Sequence, residues 1–130
     1  VDSRPNKLLA ALEAFILAND RPADSPNLRA AGADDLRLLG SLLQQALDKG
    51  HERVAADTLR VYKILSRKEP NRLPLGARAF PAVAACLRAP PSARCAAEAA
   101  NVTLNLCYER SNVNVALRQG VLAPLALMLA

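Results

Sequence analysis

The sequence has no tryptophan and only two phenylalanines and two tyrosines among its 130 residues. Any core must therefore be filled by Leu, Ala and Val, which suits closely packed helices, and surfaces on which nucleic-acid bases could stack are scarce. Histidine occurs once, as His51, with no Cys or Asp at ligand spacing, so it reads as a surface residue rather than a metal ligand or a catalytic base. The three cysteines, Cys86, Cys95 and Cys107, contain no CxxC pair. Their odd number argues against a disulfide framework and for a reducing compartment. Cys86 and Cys107 sit among apolar neighbours as small core residues, whereas Cys95, near a helix start, is a candidate for a slightly activated thiol. There is no phosphate-cradling glycine loop, no nucleophile elbow and no paired-carboxylate constellation, so the chain reads as a non-enzyme without a cofactor. No stretch joins about eighteen uninterrupted apolar residues to interfacial anchors, and Val1-Asp2-Ser3-Arg4-Pro5 has no apolar signal core. These absences point away from membrane insertion and toward the cytoplasm, with the nucleus as the alternative.

What is present is a chain of one domain's length, 52% hydrophobic, with a formal charge of +5 and a pI near 9.6. That balance favours acidic partners, whether peptide, phosphate or RNA. The apolar residues recur at helical spacing throughout, and no segment alternates as a strand does. An amphipathic segment from about Lys7 to Leu17 ends at Asn19-Asp20-Arg21-Pro22, and residues 19–33 are turn formers that predict a loop. Asp34-Asp35 then open a helix that carries Leu36, Leu39, Leu42, Leu43, Ala46 and Leu47 and stops at Gly50. A long helix is predicted over 51–68 and limited by Pro70, followed by a short piece over 71–78 broken by Pro74 and Gly76 and an apolar helix over 79–88. Pro90-Pro91-Ser92 break the chain and cap a second long helix, 93–109. A short helix over 111–119 ends at Gly120, and Val121-Leu122 open a last one.

The order repeats. Thr58-Leu59-Arg60-Val61 and Thr103-Leu104-Asn105-Leu106 lie 45 residues apart, and the apolar runs that begin Ala79-Phe80 and Val121-Leu122 lie 42 apart. A period a little over forty is that of an all-helical solenoid. Short helix, Gly, apolar helix, long helix is the three-helix order of the armadillo repeat. Gly120-Val121-Leu122-Ala123-Pro124-Leu125-Ala126-Leu127-Met128-Leu129 resembles that family's second-helix signature, and Ala99 to Leu106 is similar to its third helix, in which an Asn like Asn105 faces the concave groove. HEAT repeats are the close structural alternative. The resemblance covers about residues 34–130. It implies an all-α, right-handed superhelix of two to three repeats without β-sheet, divided at about 34–68, 69–109 and a truncated 110–130. The single domain spans 1–130, and its start without Met and its apolar end suggest a piece of a longer protein. A spacing of 45 sets Asn105 against Arg60 and Asn101 against Ala56. Asn101 stands where importin-alpha-like members carry Trp, which turns the expected ligand away from nuclear-localisation signals.

Neighbouring repeats stack because no single one buries its apolar face, and the long helices then line one wall. The resemblance implies a protein or peptide lying in the groove along that wall, gripped by side-chain amides. On the predicted long helix, Arg53, Arg60, Lys63 and Arg67 fall on one stripe, opposite Val54, Val61 and Leu65. The matching stripe of the next repeat offers Asn101 and Asn105, with Glu98 and Tyr108. The expected groove is therefore Arg53, Arg60, Lys63, Arg67, Asn101 and Asn105, open to an acidic or phosphorylated segment. A solvated polar face is the bland alternative for the basic stripe. Two other functions compete: nucleic-acid binding through the basic stripe, disfavoured by the missing aromatics, and self-association through the open ends of the solenoid.

Overall fold

The computed structural model describes residues 4–20 and 33–128. Among the described residues there are seven helices and no strand: α1 (Arg4–Asn19), α2 (Ala33–Lys49), α3 (Glu52–Leu65), α4 (Glu69–Arg88), α5 (Ala93–Leu106), α6 (Arg110–Arg118) and α7 (Leu122–Met128). Most of the loop expected over 19–33 lies outside the described residues. The helix stops follow the residues that the sequence marks. Gly50 closes α2 with a φ of 69° and Gly120 closes α6 with a φ of 73°, a left-handed conformation that a side chain would strain. Ser92 caps α5 by accepting a hydrogen bond from the Cys95 amide at 3.1 Å.

Helix α1 runs Arg4–Asn19, longer at both ends than the expected Lys7 to Leu17, and three further boundaries differ from the sequence expectation. The pieces predicted over 71–78 and 79–88 form one helix, α4, in spite of Pro74 and Pro81 within it. Each proline forfeits one backbone bond, but the fully buried Leu75, Ala79, Phe80, Val83 and Cys86 hold the helix against its neighbours and outweigh that loss. Helix α3 ends at Leu65 with Ser66 as its C-cap, so Arg67 lies past the helix rather than on it. Helix α5 likewise ends at Leu106 with Cys107 as its cap, which leaves Tyr108 in the turn.

Helices of like parity pack side by side. Helix α3 lies between α1 and α5, α4 lies between α2 and α6, and α2 with α3 and α4 with α5 join the two rows. The core between the rows is aliphatic: Leu36, Leu43, Leu59, Ile64, Leu75, Val83, Val102 and Leu106 are each at most 1% exposed, with Tyr62 and Phe80 as its two buried rings. The structure also resets the repeat. His51 and Ser92 as helix caps, Ser66 and Cys107 as C-caps, Lys68 and Glu109 as the next caps, and Asn71 and Asn112 beyond them, are each 41 residues apart. The spacing of 45 read from Thr58 and Thr103 is thus one helical turn too long. A slide of one turn keeps inward residues inward, which is why the sequence pattern alone accepts it. In the corrected register Asn101 matches Arg60 and Asn105 matches Ile64, not Arg60.

Gly40 lies inside α2, and a Cβ added there would stand 3.6 Å from the Tyr62 hydroxyl and 4.0 Å from the Arg78 carbonyl oxygen, ordinary contact distances. Gly40→Ala is therefore expected to raise stability by about 0.5–1 kcal/mol through helix propensity, measured as a higher urea midpoint at unchanged slope.

Candidate functional site

The expected groove residues come together along the row α1, α3, α5, but the structure gives most of them partners within the chain. Arg53 is exposed and reaches Glu13 of α1, with Nη2 to Oε1 at 3.0 Å. Arg60 and Arg67 converge on Asp20, the residue that follows α1: Arg60 donates to Oδ2 and Arg67 to Oδ1, the latter at 2.9 Å. Lys63 lies 3.2 Å from Oε2 of Glu98 on α5, in a pair whose side chains are 19% and 13% exposed. Asn105 is half-buried, and its Nδ2 donates to the Lys63 carbonyl oxygen at 3.3 Å and to Ser66 Oγ at 3.1 Å. That amide group therefore fastens α5 to the end of α3. Asn101 is exposed on α5.

Sequence reasoning set Glu98 on the stripe but passed over the other carboxylates of this arrangement, Glu13, Asp20 and Asp57. Asp57 on α3, only 4% exposed, accepts from Arg94 of α5 at 2.7 Å. With Glu13–Arg53, Asp20–Arg60/Arg67 and Lys63–Glu98, it completes a lattice in which charges of opposite sign on adjacent long helices meet. Glu13 and Arg53, like Asp20 and Arg60, stand 40 residues apart, so one repeat's carboxylates set against the next repeat's arginines would have shown it in the sequence. The stripe is thus not an unpaired basic wall. Between the three helices lies a cleft of about 490 Å³, lined by Glu13, Ile16, Leu17, Asp20, Arg60 and Arg94 among others. Leu17, which lines the same cleft as Arg60 and Arg94, is 86% exposed, a large apolar side chain held in water.

Burial alone would raise the Asp20 carboxyl, but hydrogen bonds from Arg60 and Arg67, reinforced by their charge, hold it below its ordinary value of 3.8. A depressed folded-state value means that the clasp stabilises fully above the unfolded value and is lost as pH falls through the folded one. The stability difference between wild type and Asp20→Asn should accordingly stay constant above about pH 5 and shrink below 3.8, as urea titrations at stepped pH would show.

A second device, also missed, sits at the ends of the long helices. Asn71 Nδ2 donates to the Leu65 carbonyl at 3.0 Å, and Asn112 Nδ2 donates to the Leu106 carbonyl at 2.9 Å and the Arg72 carbonyl at 2.7 Å. Each amide satisfies the last carbonyl of a long helix from the first turn of the helix that follows, where such acceptors lack an intrahelical donor. Arg72 adds its own bond to the Ser66 carbonyl at 2.8 Å and lies over the Tyr108 ring, 5.5 Å from its centre.

The cysteine expectation divides. Cys86 is buried as expected, and burial, with the nearby Cys95, pushes its thiol up to about 12. Cys95 is not activated: burial raises its thiol more than the Ser92 hydrogen bond lowers it. Cys107 is partly buried, and burial raises it too. His51 is exposed and makes no side-chain cap bond at the start of α3. Among the described residues no group of His, Cys, Asp and Glu could hold a metal ion, and no helix is long and apolar enough to cross a membrane. Comparison with family models, with curated proteins and with solved structures found no match for the chain.

Proposed function

We propose that the chain is an armadillo-like interaction module, a right-handed solenoid that binds a protein or peptide along the row α1, α3, α5 and does no chemistry of its own. The observation that carries this is the cleft on that row, which the exposed Leu17 lines together with Ile16 and the charged Glu13, Asp20, Asp57, Arg60 and Arg94. Apolar anchor and charged flank together suit an extended polypeptide better than a small polar metabolite. The register of 41 supports the division of α5: Asn101 and Tyr108 match Arg60 and Arg67 and continue the groove. A cytoplasmic or nuclear module fits the three unpaired thiols. The carboxylates already seated on Arg53, Arg60, Lys63 and Arg67 count against an open phosphate-backbone track, so nucleic acid is the weaker candidate. A photo-crosslinker placed at Leu17 or Asn101 should capture a polypeptide partner from extract, whereas one at the exposed Leu38 on α2 should not. Equal capture from all three positions, or from Leu38 alone, refutes the groove.

One observation favours self-association as a second reading. Ala97 and Leu104 on α5 are exposed, yet their matches in α3, Ala56 and Lys63, are 0% exposed and 19% exposed, covered where α5 packs on α3. An Ala97→Arg variant that abolishes concentration-dependent growth in light scattering would support it.

A further inference from the structure

The row α2, α4, α6 carries a glycine that packing does not require. Gly76 is held to glycine because Asn112 occupies the place of its Cβ, but a Cβ at Gly40 would stand 3.6 Å from the Tyr62 hydroxyl and 4.0 Å from the Arg78 carbonyl oxygen, both ordinary contacts. Alanine would fit there and favour the helix, so glycine at 40 lowers stability without relieving any contact. A second cost lies beside it. Tyr62 is 0% exposed, and its hydroxyl has no hydrogen-bond partner among the described residues, which leaves a desolvated donor in the core. Both features meet where α2 packs on α4, along an open cleft of about 400 Å³ lined by Leu36, Arg37, Gly40, Ser41, Gln44 and Arg78.

None of these lining residues is acidic. Arg37, Gly40, Ser41 and Gln44 follow at helical spacing along one face of α2, and Arg78 joins them from α4. Arg78 is exposed and has no ion-pair or hydrogen-bond partner for its side chain among the described residues. Arg37 pairs with Asp34, but the two side chains are 64% and 92% exposed, so the pair lies in water and an incoming anion can compete for the guanidinium. The amide of Gln44 is engaged by Asp48 at 2.9 Å.

We infer that the α2–α4 cleft binds the phosphate group of a small phosphorylated molecule, held by Arg78 and Arg37, by the Ser41 hydroxyl, and by the Tyr62 hydroxyl at the place that Gly40 leaves open. Two guanidinium groups on different helices reach one anion from different directions, which suits a tetrahedral group with three or four acceptor oxygens better than a planar carboxylate. Ser41 and Tyr62 supply neutral donors for the remaining oxygens. The only large apolar side chain in the lining, Leu36, is 1% exposed, so the cleft offers no anchor of the kind that Leu17 offers a polypeptide. That favours a small ligand. The site lies on the opposite row from the groove and does not depend on it.

The test is an NMR titration of the intact chain with inorganic phosphate, ethyl phosphate and acetate at matched ionic strength. Both phosphates should give saturable shifts centred on Gly40, Ser41 and Arg78, and acetate should bind about fivefold or more weakly. Tighter binding of ethyl phosphate than of inorganic phosphate identifies a phosphomonoester as the ligand, and the reverse order identifies free phosphate, which overturns the assignment to a phosphorylated molecule. Arg78→Gln should weaken phosphate binding about tenfold, and Tyr62→Phe about fivefold. Tyr62→Phe separates binding from folding: it removes a donor that has no partner in the fold, so its urea midpoint should not fall while its affinity does. Gly40→Ala gives the same contrast with opposite signs, a higher midpoint beside an affinity about fivefold lower. Phosphate affinity left at the wild-type level by Tyr62→Phe or Gly40→Ala overturns the site, as do shifts that sodium chloride reproduces at equal ionic strength.

Discussion

Gly76→Ala is expected to lower the free energy of unfolding by about 3 kcal/mol, at the upper end of what overpacking costs. Gly76 is buried within α4, and a Cβ there would overlap the carboxamide of Asn112 on α6, with Nδ2 only 2.7 Å away. That carboxamide is 0% exposed and tied by Nδ2 to the Leu106 and Arg72 carbonyls, so it cannot swing aside without breaking both bonds. The sign is opposite to that expected at Gly40, where the same methyl meets only ordinary contacts. Helix propensity favours alanine equally at both sites, and the neighbour decides. Chemical denaturation of Gly76→Ala, Asn112→Ala and the double variant checks the cause. Removal of the Asn112 side chain frees the space, so the double variant should lose well under the sum of the two single losses. Strict additivity would mean that Gly76 is costly to replace for some reason other than Asn112.

The same pair shows where the sequence is legible and where it stops. Apolar periodicity, Gly50, Gly120, Ser92 and the Pro90-Pro91 break place six of the seven helices to within a few residues, because those signals act on the backbone locally. Pro74 and Gly76 read locally as breakers, and α4 runs through them because tertiary burial outweighs propensity there. Gly76 is present to admit Asn112, a side chain 36 residues further on, and no local rule contains that information. The site divides likewise. Helical spacing finds Arg53, Arg60 and Lys63 on one face, but whether a cation is open or paired depends on the helix beside it. Glu13, Asp20 and Glu98 settle that from α1, its end and α5. Asn105 stands out in sequence as an amide inside a helix, yet its bonds to Lys63 and Ser66 make it a fastener between helices.

Arg94→Ala should cost about 2 kcal/mol, a loss that follows from asymmetry in the pair rather than from the strength of one ion pair. Asp57 is 4% exposed and Arg94 46%, so truncation strands a carboxylate that was desolvated when α3 and α5 closed, while the arginine stem was partly in water throughout. A buried charge deprived of its partner typically costs 3–5 kcal/mol, and water entering from the cleft side, where Arg94 stood, recovers part of that. Removal of the stranded charge as well should restore most of the loss: Asp57→Ala with Arg94→Ala is expected within about 1 kcal/mol of wild type, since neither side chain then leaves an unmatched group. Asp57→Ala alone falls between, because Arg94 can turn its guanidinium to solvent. Urea midpoints for the three variants fix the order as Arg94→Ala lowest, Asp57→Ala next and the double variant highest. If Arg94→Ala and Asp57→Ala lost equal amounts, the carboxylate would be hydrated as freely as the guanidinium. The α3–α5 contact would then owe nothing to Asp57 and Arg94, and would be held by its apolar residues together with Lys63–Glu98 and the bonds of Asn105.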